Sequence, residues 1–520
     1  MVRAKAGGTI TGLAADAKPS AAGIPAGTNF IETDSRKRYY NSGTDWILQE
    51  FPALKKYSVF KVGSTTYVTD QHGKIANSNT DTQLAIQPVL DSLANNQTQD
   101  YYWDADVFTL ENPIILPYIT GTAIRQVRFF GVQLSRRAAT GGATSFTPGA
   151  GFPTNRYFIE SHPTAVAPAS GGSTCDFTIE GVQGFNIDYI GTKNVGFLKY
   201  EADGITGRRA CNVKDVSGAY MWRLIHLKGL VWFGSFQNIS STVSNTAFTG
   251  DAAIILEDGG HANTWNPTPK ANRFSNTMCF HGDGLLNDFI RLQSGAYNIF
   301  DHAYIDGKFY ANAPITLNNT DTLHISNNTF RDILTIDMEA PTSDTRKASL
   351  WMSGTNVYDN RFINCKFQNN PKGARMDSTG VYRNEIELTA RWGASAIIVD
   401  DTGSGESNVV VVRPGNRTTA GETPITHTGG VSRIIDTRRQ ATRFGDTTFS
   451  GDGTTVTFNI PHGCFATPQQ AWVGAGSIAA RGTFSWTVNA TNIVVTYPPA
   501  SPPVSGGSNI IFHWKAEVYP

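Results

Sequence analysis

Charge is what this chain has least of. Of its 520 residues only 17% are Asp, Glu, Lys or Arg, and 43 basic groups cancel 43 acidic ones. A neutral chain without a basic run has no electrostatic footprint for nucleic acid and none for an anionic membrane surface. Long apolar runs are missing too, so nothing in the sequence reads as a membrane-spanning helix of about 18 residues. The opening Met1–Ser20 carries Arg3 and Lys5 without an apolar stretch, which does not read as a secretory signal and points to synthesis in a cytosol. Cysteine is sparse: five, at 175, 211, 279, 365 and 464. An odd count without close pairs argues against a disulfide framework or a zinc cluster and for buried, reduced thiols. Neither a G-x-S-x-G elbow nor a phosphate-loop lysine is present, and no acidic trio suggests calcium. No metal and no cofactor is expected.

What the chain does have is Gly (51 residues), with abundant Asn, Thr and Ser, a composition of strands and turns. Residues 1–55 form a first unit, punctuated by Gly7-Gly8, Pro19 and Pro25. Two strand pieces around Phe30, Tyr39 and Trp46 would give it a small aromatic core. So small a unit cannot bury enough surface alone and should pack on a partner. Residues 56–120 begin with a strand-turn-strand over Lys61–Asp70. A short helix follows over Asn79–Leu93, capped by Thr80 or Asp81, with Leu84, Val89, Leu90 and Leu93 on its apolar face and a kink expected at Pro88. The strand pair Val107–Leu110 and Pro113–Pro117 comes next.

From 121 to 415 the chain repeats loosely. Asn272-Arg273-Phe274, Asn298-Ile299-Phe300, Asn328-Thr329-Phe330 and Asn360-Arg361-Phe362 lie 26, 30 and 32 residues apart, and Asn384-Glu385-Ile386 follows after 24. Such periods mean stacked units: Asn at a corner, Phe in a central pile, and Ile305, Ile315, Ile325 and Ile336 in neighbouring strands. An ordinary β-sandwich is the competing reading. A Thr- and Arg-rich connector spans 416–440. Residues 441–520 then carry Val456–Gly463, Trp472-Val473, Phe484–Val488, Ile493–Tyr497 and Asn509–Trp514, the strands of a small all-β domain. His462 falls at a turn there.

These motifs resemble phage tail-spike and tail-fibre proteins. Ile24–Asp34 with Arg38–Trp46 is similar to a virion-attachment motif. Asp81–Asp91 and Val107–Pro117 resemble the cap and first coil of their pectate-lyase-like β-helix. Gly451–Gly463 resembles the opening of their C-terminal β-sandwich. The resemblance implies an all-β chain, a right-handed parallel β-helix between a small N-terminal β unit and a C-terminal β-sandwich, assembled as a homotrimer at a virion tail. It implies a host surface polysaccharide as ligand and other tail or baseplate proteins as partners of residues 1–55.

Three functions stay open on sequence: glycan binding without turnover, glycan depolymerisation, and virion decoration. Hydrolysis needs two carboxylates about 5 to 9.5 Å apart, which neighbouring coils could supply at a spacing of about 4.8 Å. The densest acidic stretch offers Asp251, Glu257, Asp258 and Asp283 as catalytic candidates, with Asp288, Asp301, Asp306 and His302 nearby. Trp265, Tyr297, His261 and His281 are candidates for holding sugar. Against this, Asp258-Gly259, Asp283-Gly284 and Asp306-Gly307 are ordinary turn chemistry.

Overall fold

The computed structural model describes the chain except residues 1–8, 13–17, 19, 25–27, 33–37, 42–43, 50–52, 95–96, 121–124, 133–142, 164–171, 188–192, 203–210, 244–247, 260–267, 320–322, 337–347, 369–371, 392–396, 414–425, 428–429, 431, 437–440, 465–466 and 519–520. Two compact units divide it, Met1–Asn298 and Ile299–Pro520.

The first unit opens with a four-stranded sheet. Thr9–Gly12 runs parallel to Asn29–Glu32, which pairs antiparallel with Arg38–Asn41, and that with Trp46–Gln49. Phe30 is 2% exposed and packs against Tyr39 and Trp46 at ring distances of 6.4 and 5.8 Å, the small core expected from sequence. Ala53–Val62 and Thr65–Asp70 then form a hairpin through Gly63, whose φ of 64° suits glycine.

The helix spans Thr82–Asp91 and Asp81 caps it, its carboxylate accepting from the Gln83 backbone N–H. Its inner face is Ala85, Ile86, Val89 and Leu90, with Leu93 buried just past its end; Leu84 is 48% exposed, a correction to the expected apolar face. Pro88 stays inside the helix. It brings no N–H to the Leu84 carbonyl, and Asn77 supplies one: its side-chain amide donates to Leu84 and Ala85 at 2.9 Å. One residue earlier, Gln87 both donates to the Ile115 carbonyl and accepts from its N–H, each at 2.9 Å. The Gln87 amide thus satisfies an open strand edge as a further strand would.

Beyond the helix the first unit is a parallel β-helix with three sheet columns. One column contains Gln97–Trp103, Arg125–Phe130, Asp176–Glu180, Cys211–Ala219, Ser235–Val243 and Arg273–Leu292. A second joins Val107–Leu110, Thr144–Pro148 and Val182–Phe185 to the latter halves of the longer strands. The third stacks Ile114–Ile115, Arg156–Glu160, Val195–Ala202, Arg223–Gly229, Thr249–Glu257 and the end of Arg273–Leu292. In its interior Ile114, Ile159, Leu198, Ile225, Ile254 and Ile290 are in register, all fully buried. Each such side chain contributes about 1.5–3 kcal/mol.

The second unit repeats the plan. Phe300, Phe330 and Phe362 pile at 4.7 and 4.5 Å with rings within 6° of parallel, and Ile386, Val410 and Ile434 continue the column. Phe274, in the first unit, stacks on Phe236 at 4.4 Å. Ile305, Ile315 and Ile325 are buried. Ile336 is only half-buried, because in Leu334–Ile336 it is Thr335 that points inward, opposite Ile305.

Asn residues hold one corner. The backbone N–H and the side-chain amide of Asn328 both donate to Oδ1 of Asn360, at 3.1 and 2.9 Å. Asn360 does the same to Asn384, and Asn384 to Asn408. Each remaining amide hydrogen meets a buried carbonyl, Ile325 for Asn360 and Val357 for Asn384. The residue before each, Asn327, Asp359, Arg383 and Ser407, turns the corner at φ of 53–63°. In the first unit Asn272 bonds Asn298 likewise. A second corner, unseen in sequence, has Asp215, Asn238 and Asn276 in the first unit and His302, Asp332 and Asn364 in the second, again at φ of 52–56°.

The described residues from 441 onward form two three-stranded antiparallel sheets. Phe458, Ile460, Val473, Ile493, Val495, Ile510 and Phe512 make the core between them. His462 is buried and held as a turn residue, accepting from the Cys464 N–H at 3.0 Å. Cys175, Cys211, Cys279 and Cys365 are buried and outside any disulfide, and burial pushes Cys365 up to about 12. Among the described residues no helix is long and apolar enough to cross a membrane.

Removing one rung of the Asn ladder leaves buried peptide groups unpaired, at about 1–3 kcal/mol each. Asn360→Ala should therefore lose at least ~2 kcal/mol in denaturant titration. A loss below ~0.5 kcal/mol would show that the ladder is dispensable.

Candidate functional site

The outer face of the third column of the first unit carries a cleft of about 290 Å³. It is lined by Arg156, Tyr157 and Glu160 from one strand, Lys199 from the next, Arg223, His226 and Lys228 from a third with Trp222 just before it, and Glu257 from a fourth. Register explains the gathering. Glu160, Lys199 and His226 are directly opposite on successive rungs, as are Glu201, Lys228 and Glu257. Strands stand about 4.8 Å apart, so residues dozens of positions apart in sequence become neighbours. Opposite Tyr157 the register places Gly196, where an added Cβ would sit 2.2 Å from the Tyr157 ring. Glycine there lets the ring lie flat against the sheet.

A chain of hydrogen bonds forms the floor. The Tyr157 hydroxyl lies 2.7 Å from Nδ1 of His226, whose Nε2 lies 2.8 Å from Glu257. Arg223 donates to the Tyr157 oxygen at 3.2 Å. Tyr157 and His226 are each only 3% exposed. Around this floor the charges alternate. Arg156 forks onto Glu160 at 2.7–3.0 Å, and the Tyr157 backbone N–H also donates to that carboxylate. Lys199 pairs with Glu201 at 2.8 Å. Lys228 stands 3.6 Å from Glu257 and 3.9 Å from Glu201. Asp251 is clamped by Arg223 at 2.6 Å and Arg291 at 2.7 Å, and Arg291 also holds Asp288.

These contacts set the protonation states. Burial opposes ionisation of Glu257, but the His226 hydrogen bond and the Lys228 and Arg223 charges outweigh it and hold it at about 2. Asp251 is likewise lowered, Arg291 and Arg223 prevailing over burial. Burial lowers His226 although Glu257 pulls the other way, so the imidazole is neutral at pH 7. Burial raises Tyr157 well above a free phenol, against the opposing pull of Arg223.

Of the residues singled out in sequence, Glu257 lines this cleft and Asp251 pairs with its Arg223. Asp258 follows the strand, half-buried. His281 and Asp283 lie in the strand Arg273–Leu292, their side chains outside the described residues, as His261 and Trp265 are altogether. Tyr297 is 59% exposed and turns the Asn corner, away from the cleft lining. In the second unit Asp301 pairs with Arg331 at 2.7 Å and Asp306 accepts from Tyr304, while His302 sits at the second corner. Tyr157, Glu160, Lys199, Trp222, Arg223, His226 and Lys228 were missed. Their one sequence signal was polar residues inside apolar strands, His226 within Arg223-Leu-Ile-His-Leu-Lys-Gly229 and Glu160 after Tyr157-Phe-Ile.

No protein-family model matches the chain, and no curated protein matches it. Among solved structures it is similar to the tailspike protein gp49 of Pseudomonas phage LKA1, at 12% identity over 84% of this chain and 92% of that one, with a TM-score of 0.40. It is also similar to ORF18 of Geobacillus virus E2, at 12% identity over 97% and 91%, with a TM-score of 0.33. A mutant tailspike of E. coli bacteriophage HK620 in complex with pentasaccharide matches at 9% identity over 92% and 96%, with a TM-score of 0.33.

His226 and Glu257 are both held below their ordinary values of 6.5 and 4.5. The unfolded chain then binds more protons than the native one, so stability falls as the pH is lowered. The decline should start below 6.5 for His226 and continue from 4.5 to about 2 for Glu257. Denaturant midpoints measured between about pH 7 and 5 should fall less in His226→Gln than in the parent, given the free imidazole value of about 6.5. An unchanged slope would remove His226 as the cause.

Proposed function

We propose that this chain is a virion tail spike that binds a host surface glycan in the Tyr157–Trp222 cleft. The observation that carries the reading is the cleft itself. A half-exposed indole, Trp222, stands beside a dense set of fixed donors and acceptors. A saccharide needs both: a flat apolar surface for its ring face and oriented polar groups for its hydroxyls. The site sits on a sheet whose rungs are locked, so the polar groups are preorganised, which lowers the ordering cost of binding. The tail-spike assignment rests on this site together with the parallel β-helix, the helix over its open edge and the terminal β-sandwich, the order that the motif resemblance implies.

The same reading makes residues 1–55 the attachment unit to other tail or baseplate proteins, 56–120 the cap and first coil, 121–415 the body, and 441–520, beyond the 416–440 connector, a trimerising or binding end. Three copies about a threefold axis would cover flat sides of the coil in a closed assembly. Depolymerisation of the bound glycan is the second reading, favoured by the Tyr157–His226–Glu257 chain.

Trp222→Ala should weaken binding of host capsular polysaccharide about tenfold, ~1.4 kcal/mol, in titration calorimetry, with the thermal transition kept. Equal affinity in the variant would move the glycan elsewhere. Light scattering should give three times the 56.4 kDa chain mass, and a stable monomer would refute the trimer.

A further inference from the structure

We propose that the cleft is a lyase site: Tyr157 takes a proton from an acidic, uronate-containing glycan and returns it to the departing sugar oxygen. The inference deepens the glycan-binding reading and rests on it.

The argument is an inventory of protons. Glu257 is ionised and can only accept, so the hydrogen in its 2.8 Å contact sits on Nε2 of His226. A neutral imidazole carries one hydrogen, so Nδ1 bears a lone pair and the Tyr157 hydroxyl must donate across the 2.7 Å contact. Arg223 donates to the same oxygen from the other side. Carboxylate, imidazole and hydroxyl therefore line up in the order that activates a serine in a catalytic triad. Here a phenol occupies the hydroxyl position, with a guanidinium beside it to stabilise the phenolate.

Hydrolysis asks for something the cleft does not offer, a carboxylic acid that can protonate the leaving oxygen. Glu257 and Asp251 are fixed as anions by cations. Both oxygens of Glu160 are already bonded to Arg156. Elimination asks for a proton acceptor, a proton donor and a cation for the sugar carboxylate. Tyr157 serves as the first two. Lys228 fits the third: its ammonium lies 3.6 and 3.9 Å from two carboxylates, beyond hydrogen-bonding contact with either.

The step balances without water. The Tyr157 oxygen takes the C5 proton of a 4-linked uronate as its own proton moves to Nδ1 of His226. The C5 electron pair forms the C4–C5 double bond, and the bond from C4 to the bridging oxygen breaks. Tyr157 then gives its proton to that oxygen and recovers one from His226. The products are a chain with an unsaturated uronate at its new non-reducing end and a chain with a free hydroxyl. Tyr157 is the catalytic residue; His226 and Glu257 position it and relay its proton.

The test incubates the full-length protein with uronate-containing polysaccharides (alginate, hyaluronan, polygalacturonate and purified acidic bacterial capsules), with neutral dextran as control. Unsaturated ends are followed by ultraviolet absorbance and polymer binding by calorimetry. At least one acidic polymer should yield absorbing ends and dextran none. Tyr157→Phe should lose at least about 100-fold in kcat while its affinity for the polymer and its circular dichroism stay as in the parent. Glu257→Gln should shift the pH profile of kcat, which a merely structural role would not do. Binding without unsaturated product, cleavage giving only saturated ends labelled by heavy-oxygen water, or full activity in Tyr157→Phe would each overturn the lyase assignment and leave glycan binding standing. Failure to bind any of these polymers would sink both.

Discussion

A β-helix must turn its backbone through a corner on every rung, and a buried corner cannot leave a peptide group without a partner. Here that constraint is met by asparagine. A single buried side chain, Asn360, accepts from the rung before it, donates to the rung after it and ties down the Ile325 carbonyl of the preceding rung. The residue preceding it adopts a positive φ, a conformation that costs a non-glycine residue roughly 1 kcal/mol. Tyr297, Asp359 and Arg383 all pay it, and the ladder they precede offsets the strain. Once the corners are locked the rungs cannot slip, and the Phe300–Phe330–Phe362 pile follows from the same register.

Locked register also decides what appears on the outside. Outward side chains fall into columns, so the chemistry of a face is assembled from residues tens of positions apart. His226 and Tyr157 are separated by 69 residues and His226 and Glu257 by 31, yet they share two hydrogen bonds. Gly196 matters for the same reason: one missing side chain on one rung makes room for the Tyr157 ring on its neighbour.

The cleft is also costly. Buried ion pairs rarely repay their desolvation, and apolar residues of similar size would stabilise the same sheet at least as well. Ile255 shows the alternative within the same column, standing between His226 and Arg291. A face that places Tyr, His, Arg, Lys and Glu where aliphatic residues would fit is organised around what it meets in solution, and the neutral imidazole between an anion and a phenol gives that organisation a direction.

How much of this was written in the sequence differs by level. Strand composition, the Asn-x-Phe spacing, the Asp81 cap and the aromatic core of the first sheet are local or periodic, and each could be read from neighbours along the chain. The side taken by Leu84 and Ile336 could not, because it depends on what packs above and below. The corner with Asp215, Asn238 and Asn276 escaped notice since Asp and Asn alternate there without a fixed motif. The acidic stretch 251–306 drew attention by density, but density along the chain is not proximity in space. The sequence by itself determined that short strands would repeat as stacked units with a recurring asparagine and an aromatic two residues on, because that information lies in composition and period. Only the tertiary structure decided that Tyr157, His226, Arg223 and Glu257 would meet, because they stand on or beside separate strands, and which residues face one another is fixed only when the rungs stack in register.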